Sequence, residues 1–440
     1  MNDEQFRAFL GQTIDCACGK THHVEPGTVI YEEGALEQLP SVLGEAVPGK
    51  VVAVVMDTRT RAVAGAAAVR LLGSAGWDAR EIVVPDPREG ATPVCDTNTH
   101  DRLLKQIGRP DAMLAVGAGV VNDLGKWAAH DLGIPYVCFG TAASMNGYAS
   151  ANIAVAINGV KSLIWARPPE AILADPAILR DAPPKLTTAG LGDVLAKSVS
   201  STDWRLNALL FADYFCERSA SLIANIEPLC LDHPEGRRDH DADAMAALFR
   251  ALLLTGMAMT MVGTSSPASG AEHLISHALD MMSSIDGEPH DLHGRQVGVG
   301  TVLAAEVYRR VLAVESPRLR RMPAGIDRAL WGRMVETIEP FKAEKARRLD
   351  AVPEAIVSAG GWDHLRETLA PMLRAPDRIR GCLRRAGAAW RAEDLGISRD
   401  RLLAALLHAH EIHARFSVLD LARLAGVLPE AAGEIVEQWA

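Results

Sequence analysis

The chain has 440 residues, 48% of them apolar, and carries 45 Lys and Arg against 55 Asp and Glu, a formal charge of -10. That length and balance describe a globular protein with room for two or three domains, and the absence of a basic block or basic–aromatic interleaving argues against nucleic-acid binding. The uncharged run from Ala251 to Ala271 is interrupted by Pro267 and is too broken for the ~20 apolar residues of a membrane span, so no membrane partner is expected.

The N-terminus is acidic and amphipathic without a signal-type core, and seven cysteines lie scattered through the chain. Both features point to a reducing, cytoplasmic setting. In DCACGKTHHV, Cys16 and Cys18 with His22 and His23 suggest a metal clip, but the spacing matches no common structural zinc site. A short half-buried strand and turn is the expectation.

From Val29 strands and helices alternate. Val51–Asp57 is a continuous apolar run ending in an acid, the pattern of a strand buried on both faces. A helix is expected over Thr58–Gly73, a strand over Arg80–Val84 and a helix around Thr97–Gly108. The next stretch, AMLAVGAGVVNDLGKWAAHDLGIPYVCFGTAAS, reads as strand, glycine turn, helix, strand and loop. Alternation at this interval predicts a Rossmann-like, doubly wound parallel sheet. Gly117-Ala118-Gly119 follows a buried strand and opens a helix, where backbone amides suit a diphosphate. Asp57 suits either an adenosine ribose or a helix cap. Small and hydroxyl residues in Thr141–Ser150 suit a loop against a ligand. Ile153–Ile157 and Ser162–Trp165 flank Asn158-Gly159 as a hairpin, with Lys161 solvated. A short strand at Ala171–Ala174 and a helix opening at Asp175-Pro176 complete this part.

Strand signals fade beyond Pro183-Pro184, which divides an α/β domain over residues 1–184 from an all-α domain over 185–440. Helical periodicity marks Thr187–Ala212, Ala242–Val262, Gly270–Ser284, Gly298–Val314, Asp327–Ile338 and Asp400–Arg415. His233–Asp243 and the trio His408, His410, His413 are expected in solvated loops. Within SGAEHLISHALDMMSSIDGEPHDLHGRQVGVG, Ser269 and Glu272 predict a capping box with the helix opening at Gly270. His273 and His277 lie one turn apart on one face, and His293 returns after a loop. A divalent ion held by one imidazole of this helix, by His293 and by a carboxylate from elsewhere would keep a position open for substrate.

GAGVVNDLGK, TAASMNGYAS, LADP…AP…AGLGDVLAK…DW, SGAEHLISHALD and HGRQVGVGT follow one another between about Asp57 and Thr301. With these motifs in this order the chain resembles sn-glycerol-1-phosphate dehydrogenases, within the group that also holds iron-containing alcohol dehydrogenases, glycerol dehydrogenase and dehydroquinate synthase. CACG near the N-terminus and FSVLDLA near the C-terminus look like the longer bacterial-type members. The resemblance implies a dehydroquinate synthase-like fold and an oxidoreductase. It implies reversible hydride transfer between dihydroxyacetone phosphate and sn-glycerol 1-phosphate, with NAD or NADP and one divalent ion (zinc, nickel or iron).

By the same resemblance, Asp193, His273 and His293 correspond to metal ligands. Asp57, Gly117, Ala118, Gly119, Val120, Val121, Thr141, Ala142, Ala143, Ser144 and Ser150 fall where the coenzyme binds. Asp193 and His277 fall where substrate is contacted and catalysis occurs. Asn146 stands where the family usually carries a substrate-touching Asp; an amide hydrogen-bonds a hydroxyl but cannot accept a proton. Asp57 favours NAD over a 2′-phosphorylated coenzyme unless Arg59 or Arg61 offsets its charge. For the phosphate of a phosphorylated triose, loop Gly263–Ser269, the helix start at Gly270 and Arg295 are the expected donors. A homodimer is the expected assembly. Alternatives are a reductase of another small ketone, aldehyde or polyol, and a dehydroquinate synthase-like lyase without net coenzyme consumption.

Overall fold

The computed structural model describes residues 3–88, 91–157, 160–224, 227–239, 241–322 and 325–440. The chain forms two compact units, one of Met1–Gly190 with Asp239–Thr264 and one of Leu191–Arg238 with Ser265–Ala440.

The first unit opens with a hairpin of β1 (Thr13–Asp15) and β2 (Thr21–His23), then builds a sheet. Its strands are β3 (Thr28–Tyr31), β4 (Val51–Asp57), β5 (Asp78–Val84), β6 (Ala112–Gly117), β7 (Tyr136–Gly140) and, after the hairpin β8 (Asn152–Ile157) and β9 (Val160–Trp165), β10 (Ala171–Ala174). The order is β3-β10-β7-β6-β4-β5, and every pairing is parallel. Parallel strands need both faces covered, and β6, β7 and β10 are buried at every residue. Val52, Val54, Met56, Leu114, Val116, Val137, Phe139 and Leu173 belong to one continuous core.

From β4 the chain first adds β5 on one side, then returns to place β6 on the other. That reversal puts the ends of β4 and β6, Asp57 and Gly117, at the sheet's switch point, where ligands of doubly wound sheets sit. Helix α1 (Val120–Leu132) follows β6. The expected turn at Asn158-Gly159 lies outside the described residues.

The second unit is helical throughout its described elements. Helix α2 (Pro184–Leu195) leads into α3 (Lys197–Phe211). Next along the chain, α4 (Ala242–Val262) belongs to the first unit. It is the one described helix long and apolar enough to cross a membrane, and 78% of its most apolar window is buried. Thr260 shows what holds it: its hydroxyl donates to Ala149 O at 3.0 Å and accepts from Ala151 N at 2.8 Å. The second unit continues with α5 (Ala271–Asp286) and α6 (His293–Ala313).

Two expected solvated loops are corrected. Within His233–Asp243, Glu235–Arg238 is a helical turn, and Arg237 is buried, donating to Cys230 O and His233 O at 3.1 Å each. His410 is also buried, and burial holds its imidazole well below the ordinary range. In both places packing removes polar groups from water that their composition alone would leave in it.

Candidate metal centre and active site

Three helices bring the second unit's ligating side chains together by close backbone contact. A Cβ on Gly192 of α2 would lie 2.0 Å from Gly294 O of α6, and one on Gly300 of α6 would lie 2.6 Å from Glu272 O of α5. Only glycine permits that approach. Beside these contacts Asp193, His273 and His293 each offer a ligating atom, all within 4.8 Å of one another. Bonds of ~2.0–2.2 Å from a single ion reach such a set after small side-chain adjustments.

The hydrogen bonds fix the tautomers this chemistry needs. His273 Nδ1 lies 2.7 Å from Glu272 Oε1, which directs Nε2 towards Asp193 Oδ1, 3.6 Å away. The Ser276 hydroxyl donates to Gln296 Oε1 at 2.9 Å, so it accepts from His293 Nδ1 at 3.3 Å. Both imidazoles therefore present an Nε2 lone pair, the arrangement that neighbouring oxygens impose on metal-bound histidines. Two imidazoles and a carboxylate suit a borderline divalent cation with one position left for substrate. The donor set fits the implied ion.

Lys197, one turn past Asp193, is buried and donates to Asp193 Oδ1 at 3.3 Å and Ala268 O at 3.0 Å. Burial alone would raise the Asp193 carboxyl, but Lys197 and His273 outweigh it and hold the group ionised, below the ordinary carboxylate range. No local signal in the sequence marks Lys197 for this role. His277 is half-buried, with its ring 5.6 Å from that of His293 and 24° from parallel to it, and 6.1 Å from that of His273.

The start of α5 departs from the expected capping box. The helix begins at Ala271 with Gly270 as N-cap and no capping side chain at that position. Carboxylates supply the acceptors instead: Gly270 N donates to Glu272 Oε1 and Ala271 N to Asp203 Oδ2, both at 2.7 Å. Two carboxylates at one helix N-terminus make it a poor anion site, so the expected phosphate contact there is withdrawn. Arg295 is also engaged elsewhere. It donates to Asp291 Oδ2 and Asp394 O at 2.7 and 2.6 Å. The Ser265–Ser269 loop receives its cation from Arg415, which donates to Ser269 O and, at 2.9 Å, to Ser265 Oγ.

Asp203 also accepts from Tyr308 OH at 2.5 Å and Val418 N at 2.9 Å. Its burial, against the donors around it and with Glu272 nearby, pushes its carboxyl up to about 7. A protonated carboxyl oxygen still accepts from an N–H, whereas an amide nitrogen cannot. Asp203→Asn is therefore expected to lose about 2–3 kcal/mol of stability. The folded value lies above the ~3.9 of an unfolded aspartate, so proton uptake favours the wild-type fold below pH ~4 and that contribution fades as pH rises through ~7. The deficit of the variant should be larger near pH ~5 than near pH ~8. Thermal melts at both pH values check this, and a pH-independent deficit would contradict it.

In the first unit, Gly119 takes φ 44° and ψ -109° between β6 and α1, and Thr141 N donates to Gly117 O at 3.3 Å. The first backbone amides of α1 make few local bonds: Val121 N reaches Ala118 O at 3.1 Å and Asp123 N reaches Gly119 O at 2.9 Å. Ala118, Gly119 and Val120 are half-buried at this turn, and Val121 is buried behind them. Asp57 caps the helix after β4, its Oδ1 accepting from Arg59 N and Thr60 N at 2.9 and 2.7 Å. Arg59 also lies 3.4 Å from its Oδ2.

Thr141, Ala142, Ala143 and Ser144 are buried after β7, and Asn146, half-buried, opens a short turn over Asn146–Tyr148. A Cβ on Gly190 would meet Ala143 O at 2.0 Å, and one on Gly256 would meet Asn146 O at 2.5 Å, so helix backbone braces this loop from two sides. Ser150 is buried, its hydroxyl 3.2 Å from both Gly147 O and Asn152 O. Lys126 of α1 organises the same segment, donating to Gly147 O, Ser150 O and Asn152 O at 2.6, 2.7 and 3.3 Å. Its only sequence signal is a lysine among small and apolar residues on a buried helix.

Comparison with known proteins gives the family. A family profile described as iron-containing alcohol dehydrogenase matches residues 30–183. The glycerol-1-phosphate dehydrogenase (NAD(P)+) of Halalkalibacterium halodurans is 31% identical, over 78% of this chain and 88% of that one. The enzyme of the same name from Pyrococcus furiosus is 32% identical, over 76% and 88%. Among solved structures, a probable glycerol dehydrogenase from Sinorhizobium meliloti 1021 is similar with a TM-score of 0.61, 18% identity and 94% and 98% coverage. Glycerol dehydrogenase from Schizosaccharomyces pombe is similar with a TM-score of 0.60, 15% identity and 94% and 91% coverage. At that identity the structures establish the fold, a dehydroquinate synthase-like α/β unit with a helical unit, while the sequence relatives reach further: the chain belongs to the glycerol-1-phosphate dehydrogenase family of oxidoreductases.

Proposed function

We propose that this protein interconverts dihydroxyacetone phosphate and sn-glycerol 1-phosphate with NAD or NADP and one divalent ion. The observation that carries the reading is the convergence of Asp193, His273 and His293, with both Nε2 lone pairs set by oxygen acceptors on Nδ1. These three residues would hold the ion, and zinc, nickel and iron all suit them. When bound, the ion supplies Lewis acidity at the substrate oxygen and the coenzyme supplies or takes up hydride.

The chain's own residues do the rest. Lys197 and Glu272 keep Asp193 ionised and His273 in its ligating tautomer. In the first unit, the Gly117–Val121 turn offers backbone amides to a diphosphate, and Thr141–Ser150 offers a braced, small-residue wall to the coenzyme. Asp57 suits a ribose through Oδ2, its Oδ1 being engaged in the helix cap. His277, one turn beyond His273 and half-buried, is placed to give or relay a proton to the substrate oxygen. His277→Ala is expected to keep its metal and to lose about 100-fold in kcat. Metal analysis beside steady-state kinetics checks both halves, and loss of the metal would reassign His277 as a ligand.

Asn146 supports a second reading, a reductase of another small ketone, aldehyde or polyol, because an amide and a carboxylate rank hydroxyl substrates differently. NADH and NADPH oxidation by metal-reconstituted protein is the test, with dihydroxyacetone phosphate, dihydroxyacetone and glyceraldehyde as acceptors. Preference for the phosphorylated ketone is the expected result. Preference for an unphosphorylated carbonyl would support the second reading, and coenzyme binding without net consumption would point to a lyase. A homodimer is part of the proposal, as is a cytoplasmic setting.

A further inference from the structure

The N-terminal hairpin carries a second set of metal donors, all in the first unit. β1 and β2 pair Ile14 with His22 and Thr13 with His23. The turn between them is tight: Cys16 N donates to Lys20 O and Gly19 N to Cys16 O, each at 3.0 Å, with Gly19 at φ 85°. That turn folds the sulfurs of Cys16 and Cys18 back over His22, so both sulfurs and a ring nitrogen of His22 lie within 4.8 Å of one another. Cys18 Sγ is 3.2 Å from His22 Nε2. Strand alternation sends His23 to the opposite, exposed face, where it meets Thr13 Oγ1 at 3.1 Å.

The tautomer of His22 suits a ligand. His22 is 1% exposed and its Nδ1 lies 2.7 Å from Met261 O, an acceptor only, so Nδ1 carries the hydrogen and Nε2 turns its lone pair to Cys18 Sγ. A backbone carbonyl on the far nitrogen is how proteins orient an imidazole that ligates a metal. None of the seven cysteines is in a disulfide; five are buried, and Cys16 and Cys18 are the two that are not.

We infer that Cys16, Cys18 and His22 hold a thiophilic divalent cation of the zinc type, separate from the ion assigned to Asp193, His273 and His293. On binding, each thiol releases its proton to solvent, and neutral His22 donates through Nε2. Two sulfurs and one nitrogen fill three positions of a tetrahedron, and one further donor closes it as a structural site. The ion would fasten the hairpin, through His22 and its bond to Met261 O, to the end of α4.

The test uses the full chain, stripped with a chelator under a non-thiol reductant. It is exposed to limiting N-ethylmaleimide with and without zinc chloride and read by peptide mass spectrometry. Zinc should slow alkylation of Cys16 and Cys18 on the order of tenfold or more, because a bound thiolate is a poor nucleophile. Protection should be the same in His273→Ala, which separates this site from the other, and should be lost in His22→Gln. Any other cysteine protected in parallel is the fourth ligand. Unchanged alkylation of Cys16 and Cys18 in the wild-type chain would overturn the inference, and that arm requires no variant to fold.

Discussion

His273→Ala is expected to purify as a folded protein with its ion missing from the Asp193 site and its dehydrogenase activity at background. The substitution removes one of two imidazole donors and also the hydrogen bond that links Glu272 to the site. Asp193 and His293 alone leave two solvent-filled positions where one is needed, and affinity falls accordingly. Lewis acidity at a developing alkoxide is worth several kcal/mol, so the rate loss should be on the order of 1,000-fold or more. A thermal readout separates this from misfolding. An ion at about 100 times its Kd stabilises the wild-type chain by ~2.7 kcal/mol, and the variant should show no such gain. An unaltered ion-induced rise in Tm, together with an unchanged metal content after correction for the cysteine site, would contradict the ligand assignment.

The second large effect is expected at a residue with no side chain. A Cβ on Gly192 would stand 2.0 Å from Gly294 O and 3.0 Å from Gly294 C, both backbone, so no rotamer change relieves it. Gly192 precedes Asp193 and Gly294 follows His293, and the helices must separate or tilt where the ligands depend on their spacing. Overpacking of a tight contact costs about 1–3 kcal/mol, and shifts that move one ligand by an ångström weaken the ion further. Gly192→Ala should therefore lower both Tm and metal affinity, the latter by at least about tenfold. Gly381→Ala is the control. That position is helical with nothing within 4 Å of the added carbon, so it should be neutral or slightly stabilising. Calorimetric titration with zinc or nickel distinguishes them, and equal affinities would show that the α2–α6 contact does not set the site.

The parts of this architecture that local pattern controls are readable in the chain. A run such as Val51–Asp57 has no polar face to give to solvent, and it forms a strand inside a parallel sheet. Gly117 and Gly119 mark the tight passage from β6 to α1, with Gly119 at positive φ. His273 and His277 share a helix face as their spacing demands. What the chain conceals is decided by partners distant in sequence. Ser269 and Glu272 look like a local cap, but Asp203, 68 residues from Ala271, takes that helix's first amide. His410 carries a polar group that suggests exposure, yet it is buried, and Lys345, 65 residues away, donates to its carbonyl. Residues Asp239–Thr264 return to the first unit after an excursion into the second, because Gly256 and Thr260 fit against the loop after β7. Asp193 stands 80 residues before His273, and only the resemblance to a family, not spacing, connected the two.

Anomalous diffraction from crystals soaked with nickel or zinc, recorded on both sides of the metal's absorption edge, addresses the metal assignment without any variant. The expected result is an ion bonded at ~2.0–2.2 Å to a carboxylate oxygen of Asp193 and to Nε2 of both His273 and His293. A peak elsewhere in the helical unit, or an ion bonded through His277 in place of His293, would contradict it.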